Sequence, residues 1–95
     1  MPRLILLGDH DTATAFAQAG VTTRVPADAD AAREAFRTAL ADAANCIVIV
    51  TATVAGWLAA AILEHRTRGG APMVIEIPDR LSGEFAGGSL MAEIR

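Results

Sequence analysis

Four short apolar runs, each followed or preceded by a stretch of helical period, limit what this chain can fold into more than any other feature. The runs occupy residues 4–7 (LILL), 21–25 (VTTRV), 46–50 (CIVIV) and 73–77 (MVIEI). The second is weaker and more polar than the others. Runs this short, rich in β-branched residues and apolar on both faces, suit buried parallel strands. Between them the apolar positions recur at helical spacing. In residues 12–19 they are Ala13, Phe16, Ala17 and Ala19, with Gly20 where a C-terminal cap belongs. In residues 29–44 they are Ala32, Ala35, Phe36, Ala39, Leu40 and Ala43, with Arg33, Arg37 and Asp42 opposite and Asp28 placed to cap the start. A third helix over residues 53–64 carries Val54, Trp57, Leu58, Ala61 and Ile62. It is apolar nearly all round, so a neighbour inside or outside the domain should cover it.

The string β-α-β-α-β-α-β with right-handed crossovers predicts an α/β fold: a single four-stranded parallel sheet with helices on both faces. The first and third runs are the most hydrophobic and should be central, which favours the order 2-1-3-4. The domain is predicted over residues 1–80. A loop of Pro, Gly and charge follows, and residues 81–95 end in a short helical tail, SLMAEIR.

Composition narrows the function. With 95 residues and 53% hydrophobic side chains, one core is the natural outcome. The net charge of -3 argues against a nucleic-acid partner. All eight basic residues are arginine, which excludes any mechanism that needs a lysine amine. The single Cys46 cannot form an internal disulfide and is predicted to be a small apolar filler in a buried strand. The longest apolar stretch, residues 54–63, is half of the roughly 20 residues that cross a bilayer. The N-terminal run reads as a strand, not a signal peptide. These features predict a soluble, intracellular protein without direct membrane insertion.

Chemistry, if any, should gather at the carboxyl ends of the strands, where open α/β sheets bind ligands. That rim would hold Gly8, Asp9, His10, Asp11, Thr51, Thr53, Glu76, Pro78 and Asp79. The sequence Gly8-Asp9-His10-Asp11-Thr12 is no phosphate loop, because it lacks the glycine spacing and the lysine. Its carboxylates also occupy the positive helix end that an anion would use. A metal site on Asp9, His10 and Asp11 matches no ligand spacing. A receiver-type phosphoacceptor would need an aspartate after the third strand and a late lysine, and this chain has Val50-Thr51 and no lysine. The remaining reading is structural: Gly8 makes the turn, Asp9 caps the first helix, and Asp11 and Thr12 belong to its first turn. Trp57 reads first as core and second as a partner-facing anchor. Glu76 reads as an edge-strand residue with its head at the rim, or as a partner contact or a buried hydrogen-bond acceptor. His65 is predicted to be solvated at a helix end. No catalytic, cofactor-binding or metal-binding residue is assigned.

The ordered combination of these signals resembles the F subunit of the V-type and archaeal A-type rotary ATPases. Gly8, Asp9, Asp11, Thr12, Phe16, Ala19, Gly20 and Val21 match its first strand-turn-helix motif. Ile49-Val50-Thr51 and Val74-Ile75-Glu76-Ile77-Pro78 match its later strand ends. The resemblance implies a receiver- or flavodoxin-like domain in the central rotor stalk, noncatalytic and without a cofactor. The implied partners are the coiled-coil D subunit of the central stalk, the catalytic A/B hexamer through the C-terminal tail, and the subunit that connects stalk to rotor ring. It further implies a cytoplasmic location peripheral to the membrane, and a role in coupling or regulating ATP turnover with ion transport. Thr14-Ala15 and Asp79-Arg80 depart from the family pattern, and the tail is shorter than in many relatives. Leu90, Met91 and Ile94 form one apolar stripe in that tail, and with Trp57 and Glu76 they are the candidate partner contacts. The alternative is a stand-alone receiver-like adaptor, or a small ligand-binding α/β domain that has lost its catalytic groups.

Overall fold

The computed structural model describes residues 3–78. Eight elements alternate along the chain: β1 (Arg3–Leu7), α1 (His10–Gln18), β2 (Thr22–Arg24), α2 (Ala29–Ala41), β3 (Asn45–Thr51), α3 (Ala52–Trp57), α4 (Ala59–Arg68) and β4 (Met73–Ile77). The strands form one parallel sheet in the order β2-β1-β3-β4. This is the predicted fold and the predicted order.

The physical reason for that order lies in burial. Ile5 and Leu7 on β1 and Val48 and Val50 on β3 are all below a tenth exposed, as central strands require. They meet Ala32, Phe36 and Ala39 of α2, Val54 and Ala55 of α3, and Ile62 of α4 in one cluster, together with Leu58 and Val74. Phe36 is its largest member, and its loss would cost about 3–5 kcal/mol. α1 packs instead on β1 and β2 from the other side. There Leu6 is fully buried and Ala13 nearly so.

The helix ends are those the sequence specifies. Asp9 and Asp28 are the N-caps of α1 and α2, with side chains accepting from the backbone N–H groups of Thr12 and Ala31. Gly20, at φ 91°, closes α1. Its N–H donates to Ala17 and that of Val21 to Phe16, the paired bonds of a Schellman motif. Only a residue without a Cβ takes this backbone shape cheaply.

Four expectations are corrected. The apolar stretch predicted as one helix over 53–64 is two, broken at Leu58, whose φ of -105° and ψ of 13° leave the helical region. Leu58 is 1% exposed. The break turns it into the core between Val54 and Ile62, and the second helix runs on to Arg68. Helix α2 stops at Ala41, three residues early. Asp42 is extended there, and its carboxylate accepts from the Ala44 N–H and pairs with Arg3.

Cys46 is exposed, not a buried filler. The β1–β3 register shifts so that Arg3 opposes Asn45 while Leu4 opposes Ile47. Cys46 is the extra residue, and Asn45 takes the inward place. Asn45 is satisfied there by donating to the Ala39 carbonyl at 2.9 Å and accepting from Arg3 Nε at 2.9 Å. His65 is buried, not solvated. Its Nε2 donates to the Pro72 carbonyl at 2.7 Å, which ties the end of α4 to the start of β4.

Candidate functional site

The turn after β1 sits at the carboxyl edge of the sheet. The Gly8 N–H donates to the Arg24 carbonyl at 3.1 Å, which fixes the turn against the end of β2. Asp9 follows in extended conformation, with φ -78° and ψ 167°. One of its carboxylate oxygens accepts from the Thr12 N–H at 3.0 Å, the other from the Thr12 hydroxyl at 2.8 Å. Its carbonyl accepts from the Ala13 N–H at 2.9 Å. Both carboxylate oxygens are therefore engaged in starting α1. His10 and Asp11 are exposed at the helix start, and Asp11 puts a negative charge in the first turn, where the helix dipole favours it.

Across the turn stands Thr51, the last residue of β3, with no exposed surface. A Cβ on Gly8 would lie 2.6 Å from the Thr51 methyl and 3.3 Å from its hydroxyl. The hydroxyl has no hydrogen-bond partner. A side chain at position 8 would thus collide with Thr51. Thr53 in α3, Glu76 on β4 and Pro78 just after β4 are exposed.

The structure brings Gly8 and Asp9 to the same edge as Thr51, which the strand pattern had placed on that rim. It leaves the candidate contact residues spread out. Trp57 is 37% exposed at the end of α3, and Glu76 is exposed on the edge strand β4. Leu90, Met91 and Ile94 lie outside the described residues, as does Asp79. Among the described residues no three His, Cys, Asp or Glu side chains come together as metal ligands.

A shallow depression of about 500 Å³ opens at the other end of the sheet, lined by Cys46, His65, Arg66 and the stretch from Gly69 to Val74. Its polar side chains are already employed in the fold. His65 bonds Pro72, and Arg66 donates to the Val74 carbonyl at 3.0 Å. What sequence reasoning missed is apolar. Met73 is 61% exposed and Ile75 37%, although MVIEI reads as a strand buried on both faces. No signal within those five residues marks them; only the extent of α1 does.

The chain is thus a four-stranded parallel α/β domain that carries a capping aspartate and a packed threonine at the carboxyl edge of its sheet. The model of the family described as ATP synthase (F/14-kDa) subunit matches residues 4–94, and the chain belongs to that family, the F subunit of V/A-type ATP synthases. No curated protein matches the chain at a significant level. Among the described residues, no helix is long and apolar enough to cross a membrane.

Proposed function

We propose that this chain is the noncatalytic central-stalk subunit of a V/A-type rotary ATPase, docking on the coiled-coil subunit and coupling or regulating ATP turnover with ion transport. The family match over residues 4–94 carries the reading. The turn supports it, because Asp9 and Thr51 are spent on structure and nothing there is arranged to act on a substrate. The chain works from the soluble sector on the cytoplasmic side, peripheral to the membrane.

In this reading Leu90, Met91 and Ile94 contact the coiled coil, and the C-terminal tail that carries them also contacts the catalytic hexamer. Trp57 and Glu76 add contacts from the domain, and the subunit joining stalk to rotor ring is the third neighbour. Burial of Leu90, Met91 and Ile94 offers roughly 4–8 kcal/mol before ordering costs.

The test is Leu90→Ser with Ile94→Ser, read as affinity for the stalk coiled-coil subunit and as the thermal midpoint of the free protein. Affinity should fall at least tenfold while the midpoint stays put. Unchanged affinity removes the tail as the contact. A collapsed free domain makes the tail part of the core.

A further inference from the structure

We infer that the groove between α2 and α4 is a docking surface for an amphipathic helix of another protein, one that flanks its apolar stripe with carboxylates.

The groove is built from two matching stripes. Arg33, Phe36, Arg37 and Leu40 recur on α2 at i, i+3, i+4 and i+7, and all four line one wall. Ala61, Glu64, His65 and Arg68 repeat that spacing on α4 and line the other. Stripes of this period are the surfaces into which a third helix packs its own ridges. Helix α2 packs on α3 rather than α4, so the seam between α2 and α4 stays open. From its first residue to its last, each stripe rises about 10 Å, two turns of a docked helix. The groove holds about 250 Å³, below the roughly 300–1,000 Å³ of small-molecule pockets. It suits a row of side chains and not an enclosed ligand.

Charge selects the occupant. Phe36 is 2% exposed, and Leu40 and Ala61 are half-buried, so the floor is apolar. The His65 ring is already engaged with the Pro72 carbonyl. Along the rim stand Arg33, Arg37 and Arg68, against the single carboxylate of Glu64. Asp30 and Glu34, the acids that pair with Arg33 and Arg37, lie outside the lining. These ion pairs join exposed side chains in water, where such pairs hold weakly. A guanidinium has five N–H donors, so each arginine can keep its partner and take a further carboxylate. The groove is thus locally positive on a chain whose net charge is -3. An apolar floor between guanidiniums matches an apolar stripe between glutamates or aspartates. A phosphate backbone would match the arginines but leave the floor uncovered. The inference rests on α2 and α4 alone and does not depend on the proposed function.

The test uses the full chain and two peptides of about 18 residues, long enough to be helical. Both carry the same leucine stripe at helical spacing, flanked in one by glutamates and in the other by lysines. Fluorescence anisotropy should show saturable binding of the glutamate peptide, weakening as salt is raised. The lysine peptide should bind at least about tenfold more weakly, although the net charge of the chain favours it. Arg33→Glu with Arg37→Glu should reverse that preference and leave the thermal midpoint within about 3 °C. Arg24→Glu, exposed on β2, should leave the preference unchanged. Equal affinities for the two peptides, or equal losses from Arg24→Glu and the α2 pair, would overturn the inference. So would the absence of saturation by about 1 mM glutamate peptide. Sedimentation of the free chain covers the remaining occupant. A dimer that the α2 glutamates dissolve would overturn the inference by giving the groove to a second copy.

Discussion

Gly8 and Thr51 occupy one space: a methyl group added to Gly8 would stand 2.6 Å from the Thr51 methyl. The two residues close β1 and β3, the central strands, at the edge where related architectures hold ligands. Neither can grow without moving the other. Gly8→Ala should therefore destabilise the domain by about 1–3 kcal/mol, the usual cost of overpacking. Thr51→Ser removes the opposing methyl and should recover part of that loss. A double-mutant cycle by urea denaturation checks the coupling. Strictly additive effects would show that the backbone absorbs the extra methyl elsewhere.

Asp9 is the second test of the turn. Asp9→Ala removes both acceptors of Thr12, from its N–H at 3.0 Å and its hydroxyl at 2.8 Å. The expected loss is about 1–2 kcal/mol, the upper part of the range for helix caps. Asp9→Asn keeps one carbonyl acceptor and should lose less. Chemical denaturation of the three proteins gives the order wild type, Asn, Ala. An alanine variant as stable as the wild type would deny the cap its part in holding α1.

Cys46 offers a measurement that separates the register shift from the simpler picture of a buried strand. The shift leaves Cys46 exposed. It should react with an aromatic disulfide reagent in the native state to one equivalent, with no need for denaturant. Protection until the unfolding transition would put the thiol back inside.

The isolated chain is expected neither to hydrolyse ATP nor to bind it tightly. The first helix begins with carboxylates where a phosphate would need free N–H groups, and the chain has no lysine. Calorimetric titration with magnesium ATP should show no micromolar site. A saturable site of that strength would require a nucleotide role that the turn does not provide.

Much of this molecule was legible in the chain alone. Strand order followed from which runs were most hydrophobic, because central strands lose water on both faces. The caps at Asp9, Asp28 and Gly20 were readable because they act through neighbours within three or four residues. The family was readable for the same reason, its motifs lying at strand ends and turns. The structure alone decided the properties that depend on distant partners. The β1–β3 register placed Asn45 inside and Cys46 outside, a choice made by strand pairing across more than forty residues. His65 is buried because the loop to β4 brings the Pro72 carbonyl to its ring. Leu58 breaks a helix that its own neighbours would continue, since the core beneath it is worth more than one turn's regularity. Met73 and Ile75 stand exposed because α1 spans two strands and not four. Local pattern fixes elements and their ends; which face finds a cover is settled by how far each helix reaches.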